Sequence, residues 1–234
     1  MRISIVTPTY NEAQNLPKLA EKIFALNLPD LELIVVDDNS PDGTGKIAEE
    51  LAKKYPIRVI HRPGKAGLGK AYIAAFEELL KGEHRPEYII QIDADLSHDP
   101  AAIPAMLEKI KNCDLVLGSR YIPGGATENW DPIRKLVSRF GNLYARAVLW
   151  LPYRDLTGGF KCFRRNVLEN INLNSISSAG YNFQIEMTYR AHRKNFRIRE
   201  IPITFTERAV GQSKFNPAIM LEAFWKVILL RFRN

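Results

Sequence analysis

Two aspartates separated by a single residue form the most informative chemical pattern in the sequence. Asp93 and Asp95 flank Ala94 and directly follow the apolar run at 88–92. An apolar run of this length predicts a buried strand, so both carboxylates would emerge at its C-terminal end. Such a pair can hold a hard divalent cation, Mg²⁺ or Mn²⁺, which commonly binds phosphates. An exposed acidic loop is the alternative, because the pattern is short and common.

Three other polar segments follow predicted strands in the same way. They are residues 8–12, 37–42 and 65–70, after the apolar runs at 3–7, 31–36 and 57–60. The C-terminal ends of parallel strands meet at one edge of an open sheet, where ligands bind. We therefore expect one pocket that binds a nucleoside diphosphate through carboxylates and a metal. The pocket is not a P-loop, because the glycine segment is not followed by GK[ST].

The first half of the chain alternates apolar runs with segments of helical periodicity. Strands are predicted at 3–7, 31–36, 57–60, 88–92 and 115–117, and helices at 11–26, 43–55, 69–80 and 101–111. This alternation predicts an α/β fold with a mostly parallel sheet and helices on both faces. A chain of 234 residues is long enough for one large domain.

Two further helices are predicted at 131–151 and 217–232. The first carries a broad apolar stripe with three arginines beside it, and the second is more apolar but interrupted by charges. A packed core helix and an amphipathic helix in the membrane interface both remain open for each segment. No stretch reaches about 18 uninterrupted apolar residues, so no transmembrane helix is predicted.

The charge of the chain indicates an anionic partner. Lysine and arginine number 33 against 26 aspartates and glutamates, a net charge of +7. Phosphorylated ligands and acidic membrane surfaces fit this charge. Nucleic acid is not expected, because no RNA-binding motif with interleaved aromatic residues is present. Cys113 and Cys162 lack metal-ligand spacing, and the N-terminus does not resemble a signal peptide, so a cytoplasmic protein with free thiols is predicted.

A series of motifs resembles the family 2 glycosyltransferases of the GT-A fold. In chain order these are PTYNE at 8–12, VVDDNS at 35–40, GLG at 67–69, DADLSH at 93–98, GSRY at 118–121, DLTGGF at 155–160, GYxFQxE at 180–186 and RxxGxSK at 208–214. More narrowly, they look like the dolichol-phosphate or polyprenol-phosphate mannose synthases. The resemblance covers nearly the whole chain and therefore implies a GT-A catalytic fold.

The resemblance implies roles on the donor side of the reaction. The nucleoside of the sugar donor would contact Pro8, Tyr10, Glu12, Val36 and Asp38. Asp93 and Asp95, with Ala94 between them, would hold Mg²⁺ or Mn²⁺ against the pyrophosphate. Ser97 is a further candidate metal ligand, although relatives often carry Gln there. Lys214 and Arg120 would contact the donor phosphates.

On the acceptor side, the resemblance implies a group that binds a lipid phosphate. Its members are Arg120, Arg134, Ser138 and Arg208, which together with Asp95 form the expected catalytic set. Arg134 and Ser138 are four residues apart, so a helix would place them on one face. One departure from the family is Ala179, where relatives often carry Lys. His98 is expected to have a turn or packing role instead of acting as a base.

The expected function is an inverting, single-displacement transfer of a sugar to a polyprenyl or dolichyl monophosphate. Mannose from GDP-mannose is expected ahead of glucose from UDP-glucose, and a family 2 transferase with a soluble or polysaccharide acceptor is the alternative. We expect a catalytic domain at 1–215, which includes an interface helix at 131–151, and a C-terminal amphipathic helix at 216–234. The protein would lie peripherally at the cytoplasmic membrane face, with a small membrane subunit as a further candidate partner.

Overall fold

A computed structural model describes residues 1–82, 85–176, 178, 180–207 and 217–232, with side chains omitted for 217–223. Nine strands occur in the described residues. They are β1 (Ile3–Thr9), β2 (Leu31–Asp37), β3 (Ile57–His61), β4 (Tyr88–Gln91), β5 (Leu115–Ser119), β6 (Ala126–Glu128), β7 (Lys161–Arg164), β8 (Ile198–Pro202) and β9 (Thr204–Thr206). The helices are α1 (Leu16–Phe24), α2 (Thr44–Ala52), α3 (Leu68–Lys81), α4 (Ile103–Ile110), α5 (Pro132–Leu149), α6 (Arg165–Asn170), α7 (Tyr181–Arg193) and α8 (Pro217–Phe232).

The main sheet has seven strands in the order β3-β2-β1-β4-β7-β5-β8. Its strands run parallel except β7, which is antiparallel to both of its neighbours, β4 and β5. A second small sheet pairs β6 with β9 in parallel. The prediction of a mostly parallel α/β sheet is therefore confirmed, and the reversed strand is an addition to it.

Helices cover both faces of the sheet, as predicted. Alternate residues of β1 enter different cores: Ile5 packs with Leu19 of α1, whereas Val6 packs with Phe76 of α3. This alternation follows from the two-residue period of a strand. The C-terminal ends of β1, β2 and β4 lead into the predicted site residues.

The first predicted helix begins later than its periodicity suggested. Residues 11–15 form a turn in which Asn11 has a positive φ of 62°, and α1 starts only at Leu16. The backbone of this turn is hydrogen-bonded to the next strand end: Glu12 N donates to Thr44 Oγ1 at 2.9 Å, and Asn11 N donates to Ser40 Oγ at 3.1 Å. The polar motif is therefore a loop at the sheet edge instead of the first turn of a helix.

Strand β7 and helix α7 were not predicted, and each buries polar side chains among its apolar ones. Lys161 of β7 is buried, and its Nζ donates to the backbone oxygen of Gln184 at 2.5 Å and to Thr188 Oγ1 at 3.0 Å. On the neighbouring strand, Gln91 Nε2 donates to Gln184 Oε1 at 2.6 Å and to the backbone oxygen of Gly159 at 2.7 Å. These bonds satisfy groups that would otherwise be costly to bury.

Helices α5 and α8 pack against each other with much apolar surface left exposed. Tyr144 Oη donates to the backbone oxygen of Phe224 at 3.0 Å, and the rings of Phe140 and Phe224 lie 5.9 Å apart. The side of α5 that faces the protein carries Asn142, Ala145 and Leu149. Ile133, Leu136, Phe140 and Leu143 of its predicted apolar stripe are exposed, so the packed-core alternative is wrong for these four, whereas Tyr144 packs against α8.

None of the helices in the described ranges combines the length and apolar character needed to cross a bilayer. The predicted boundary between residues 215 and 216 lies outside the described residues.

Burial has a measurable consequence at Lys161. It lowers the pKa of this amine from 10.5 to about 7, although the negative charge of Asp155 acts in the opposite direction. Between pH 7 and pH 10.5 the unfolded chain therefore binds a proton at this residue that the folded chain does not bind. The contribution of Lys161 to the free energy of unfolding therefore increases as the pH rises from 7 to 10.5. Below pH 7 this contribution is at its lowest.

We expect Lys161→Met to remove this pH dependence. From pH 7 to pH 10, the unfolding free energy of the wild type should rise relative to the variant by about 1 kcal/mol per pH unit. Urea denaturation at several pH values measures the difference. Lys81→Met, at an exposed lysine, is the matched control and should follow the wild type. Parallel curves for wild type and Lys161→Met would contradict the expectation.

Candidate active site

A pocket of about 190 Å³ opens where β1, β2 and β4 end and α3 begins. It is lined by Pro8, Thr9, Tyr10, Glu12, Asp38, Lys65, Gly67, Leu68, Ala71, Asp93, Ala94 and Asp95. The structure thus brings together most of the predicted donor residues. Val36 does not line the pocket, because its side chain is fully buried against α3.

Two basic residues lie in the pocket region: Arg62 was missed by the sequence reasoning, whereas Lys65 belongs to the segment 65–70 that was expected there. Arg62 Nη1 donates to Asp38 Oδ1 at 2.6 Å, and the backbone nitrogen of Ala66 donates to Asp38 Oδ2 at 3.3 Å. Lys65 Nζ lies 3.9 Å from the centroid of the Tyr10 ring. Arg62 directly follows β3, so its position after a strand was the available signal. The two cations give the pocket positive charge beside its carboxylates.

The neighbouring Asp37 has a structural role. Its carboxylate accepts hydrogen bonds from the backbone nitrogen of Ser40 at 3.1 Å, from Ser40 Oγ at 2.5 Å and from Thr9 Oγ1 at 3.1 Å. These bonds fold the loop after β2 back towards β1. The loop therefore holds Asp38 at the pocket wall.

Asp93 lies in a restricted environment at the end of β4. Tyr72 Oη donates to Asp93 Oδ1 at 3.2 Å. On the other side, a Cβ atom added to Gly159 would lie 3.0 Å from Asp93 Oδ2, so a larger residue there would require the carboxylate to shift slightly. Burial and the negative charge of Asp93 raise the pKa of the Tyr72 phenol well above its ordinary value. Tyr72 therefore remains protonated and acts as a hydrogen-bond donor.

Asp95 is fixed by its own loop. Its Oδ1 accepts the backbone N–H of Ser97 at 3.0 Å, and Leu96 between them has a positive φ of 61°. This local turn keeps both carboxylates of the motif at the wall of the same pocket.

His98 is fully buried under the acidic pair. Its ring lies 5.2 Å from that of Phe160 and 4.9 Å from that of Phe205, and its Nε2 is 3.8 Å from Asp93 Oδ2. Burial lowers the pKa of His98 to about 4, so the imidazole is neutral at pH 7 and the contact with Asp93 is not an ion pair. This environment matches the expected packing role.

The donor set of the acidic pair fits a hard divalent cation. Asp93 and Asp95 offer carboxylate oxygens, and Ser97 Oγ is buried without a hydrogen-bond partner among the described residues. No group of three histidine, cysteine, aspartate or glutamate side chains suited to a metal occurs in the described part of the chain. Such a cation would thus take its remaining ligands from oxygens of the substrate and water, as Mg²⁺ usually does.

A second group of predicted residues lies on and beside α5. Ser138 Oγ accepts the hydroxyl of Tyr121 at 2.7 Å. One turn earlier on the same helix, the Arg134 guanidinium pairs with the Glu207 carboxylate and lies 4.3 Å from the centroid of the Trp130 ring. The structure thus places Arg134 and Ser138 on one helix face, as predicted.

Three rings connect Arg134 to the acidic pair. Trp130, which contacts Arg134, lies 5.3 Å from the ring of Phe205, and Phe205 lies 4.9 Å from His98 beside Asp93. We call Trp130, Phe205 and His98 the aromatic chain. The backbone reinforces this connection, because the Thr206 nitrogen donates to the Ser97 oxygen at 3.0 Å. The strand that leads to Glu207 is therefore bonded directly to the acidic loop.

Arg120 is engaged in a buried ion pair. Its Nε and Nη2 donate to the two carboxylate oxygens of Asp155, each at 2.7 Å, and Nη2 also donates to Thr157 Oγ1 at 2.8 Å. Burial alone would raise the pKa of Asp155, but the charge and hydrogen bonds of Arg120 outweigh burial and lower it. Arg120 does not line the donor pocket. The sequence could not reveal this partner, which lies 35 residues away.

Arg208 and Lys214 lie outside the described residues, as does Ala179, so their roles stay predictions.

The buried pair should make Asp155 critical for stability. Replacing Asp155 with Asn leaves the Arg120 guanidinium buried without a counter-charge, and we expect a loss of about 3 kcal/mol in unfolding free energy. Urea denaturation measures this loss. Glu50→Gln, in the exposed pair with Lys53, is the control and should change stability by less than about 0.5 kcal/mol. Equal effects of the two substitutions would contradict a structural role for the pair.

Comparison with known proteins identifies the class of this chain. Residues 4–171 match the family described as "Glycosyl transferase family 2". The chain belongs to this family and is a glycosyltransferase.

Similar proteins narrow the class further. The chain is 42% identical over 229 residues to the "Polyprenol monophosphomannose synthase" of Mycolicibacterium smegmatis, covering 97% of this chain and 85% of that protein. It is 44% identical to the "Undecaprenyl-phosphate mannosyltransferase" of Micrococcus luteus, covering 95% and 91%. It is 39% identical to the "Dolichol-phosphate mannosyltransferase" of Pyrococcus furiosus, covering 95% of this chain and 61% of that protein.

Solved structures confirm the GT-A fold. Glucosyl-3-phosphoglycerate synthase from Mycobacterium tuberculosis, in complex with Mn²⁺ and UDP-glucose, superposes with a TM-score of 0.70 at 19% identity, covering 98% of this chain and 77% of that chain. The same enzyme with Mn²⁺, UDP and its product gives a TM-score of 0.68, covering 97% and 77%. At this identity the likeness concerns the fold alone.

Proposed function

We propose that this protein transfers a mannosyl group from a nucleotide-sugar donor to a polyprenyl monophosphate. The observation that carries the proposal is the connection of two sites through the aromatic chain. The acidic pocket suits a nucleoside diphosphate and a cation, and Arg134 at the other end suits a phosphate beside an exposed apolar helix face. The names of the similar proteins, each a mannosyl transfer enzyme of a polyprenyl or dolichyl phosphate, support the same reaction.

On the donor side, the pocket residues bind and orient the nucleoside diphosphate. Asp38, held by Arg62, would accept hydrogen bonds from the nucleoside, and Lys65 would add positive charge for the phosphates. Asp93 and Asp95, with Ser97 as a further candidate, would hold Mg²⁺ or Mn²⁺. Such a cation, when bound, would stabilise negative charge on the departing nucleoside diphosphate. GDP-mannose is the proposed donor, ahead of UDP-glucose.

On the acceptor side, an oxygen of the lipid phosphate attacks the anomeric carbon of the sugar. A new carbon–oxygen bond forms to this oxygen while the bond to the donor diphosphate breaks, with inversion at the anomeric carbon. The nucleophile is already an anion at neutral pH, so the reaction needs no general base. Arg134 and Ser138, with Arg208 as a predicted addition, would hold the acceptor phosphate for in-line attack.

The apolar stripe of α5 gives the lipid acceptor a place to enter. Ile133, Leu136, Phe140 and Leu143 are between 55% and 70% exposed. Exposed large apolar side chains in one row mark an interaction surface, and a helix with neighbouring arginines suits the boundary of an anionic membrane. We therefore propose peripheral attachment at the cytoplasmic membrane face through α5 and α8, with a small membrane subunit as a candidate partner.

The reaction is tested by measuring radiolabelled sugar transfer from GDP-mannose and from UDP-glucose, with Mg²⁺ or Mn²⁺. We expect transfer from GDP-mannose to polyprenyl phosphate and none to the corresponding polyprenol. Asp95→Asn should lower kcat at least about 100-fold, since it removes a charge that binds the cation. Asp99→Asn, at an exposed helix-capping position four residues on, is the matched control. Transfer to lipid-free acceptors at the same rate as to polyprenyl phosphate would contradict the assignment of a lipid phosphate as the acceptor.

The membrane surface is tested by liposome flotation with vesicles of phosphatidylglycerol and phosphatidylethanolamine. We expect the wild type to float and the double variant Leu136→Ser/Phe140→Ser to be recovered about tenfold less with the vesicles, because apolar area no longer enters the bilayer. Leu136→Met/Phe140→Leu keeps the apolar character and should float like the wild type. Flotation of all three proteins to the same extent would show that another surface binds the membrane.

A further inference from the structure

Tyr72 of α3 is a buried polar residue whose hydroxyl meets the acidic pair. Its side chain has no solvent exposure, and its Oη donates to Asp93 Oδ1 at 3.2 Å. The ring packs against two others, with its centroid 5.9 Å from that of Phe76 and 5.9 Å from that of Phe183. A phenol packed in this way has little rotational freedom, so its hydroxyl occupies a fixed position.

The packing of α3 against α7 sets that position. Gly69, one turn before Tyr72, lies so close to Phe183 that an added Cβ atom would be 2.9 Å from its ring. This close approach brings the Phe183 ring parallel to that of Tyr72, with an interplanar angle of 1°. The direction of the Tyr72 hydroxyl is therefore determined by two helices instead of by a surface loop.

The second oxygen of Asp93 is limited from the opposite side. Gly159 approaches Oδ2 closely, and the buried His98 Nε2 lies 3.8 Å from the same oxygen. The Asp93 carboxylate is thus confined on both oxygens, although 24% of its side chain remains exposed to the pocket. A carboxylate confined in this way presents a defined orientation to a ligand in the pocket.

We propose that Tyr72 is a positioning residue that holds the Asp93 carboxylate in the orientation needed to bind the divalent cation. The inference rests on the proposed function, because it requires that Asp93 is a metal ligand. Hydrogen bonds to the ligands of a metal orient them, and loss of such a partner typically weakens metal binding about 10- to 100-fold. The packing of the Tyr72 ring alone would not require a hydroxyl at this position.

The test is Tyr72→Phe, which keeps the ring and its packing and removes only the hydroxyl. Binding of Mn²⁺ alone is measured by the electron paramagnetic resonance signal of the free ion, with the concentration of folded protein fixed by circular dichroism. We expect the Kd for Mn²⁺ to rise about tenfold. Transfer activity should recover at saturating Mn²⁺, because the reacting groups themselves are intact. Tyr153→Phe, which loses a hydrogen bond to His192 at 3.1 Å, is the matched control and should bind Mn²⁺ like the wild type.

The outcomes separate this inference from the proposed function. If Asp93→Asn loses Mn²⁺ binding but Tyr72→Phe keeps the wild-type Kd, the positioning role is overturned and the metal assignment stands. If Asp93→Asn also binds Mn²⁺ like the wild type, the metal assignment and the role of Tyr72 are both wrong. A higher Kd for Mn²⁺ in both Tyr72→Phe and Tyr153→Phe would mean that removing a tyrosine hydroxyl away from Asp93 weakens binding as well. This result would likewise overturn the positioning role.

Discussion

The buried ion pair between Arg120 and Asp155 is the interaction on which the geometry of the site depends. It joins the end of β5 to the loop that leads into β7, and both charges are removed from water. Charges in such an environment are stabilising only as a well-oriented pair. The loop fixed by this pair carries Gly159, which in turn limits the position of Asp93. The ion pair thus contributes to the position of the Asp93 carboxylate at the pocket wall.

The sequence was sufficient to predict the strands and helices whose buried side chains are mainly apolar. β1, β2 and β4 are rich in buried apolar residues, so both the parallel sheet and the acidic pair at its edge could be predicted. β7 and α7 could not be predicted, because each buries a polar residue: the Lys161 amine donates to the backbone oxygen of Gln184, and the Gln184 side chain accepts a bond from Gln91. A local pattern treats each of these polar residues as exposed. Their pairing exists only after the chain has folded.

The residues of the candidate site also fall into two groups, those that the sequence could place and those that it could not. Position at a strand end was enough to place Asp38, Asp93 and Asp95 in one pocket. The surroundings of Arg120 depend on a partner distant in sequence, so its motif suggested a phosphate ligand where the structure has a buried pair. Tyr72 gave no signal, because an aromatic residue at helical spacing is indistinguishable from ordinary core. Contacts across the fold, which a linear pattern does not contain, distinguish these cases.

The hydrogen bond between β9 and the loop that follows β4 limits which substitutions an enzyme of this family can accept there. Thr206 donates to Ser97, and His98 and Phe205 form a further bridge, so the two segments share one hydrogen-bonded seam. An acidic loop transplanted from another family member would meet β9 with a foreign ring at the position of His98. The two segments therefore form a single module, and substitutions in one are expected to be inherited together with substitutions in the other.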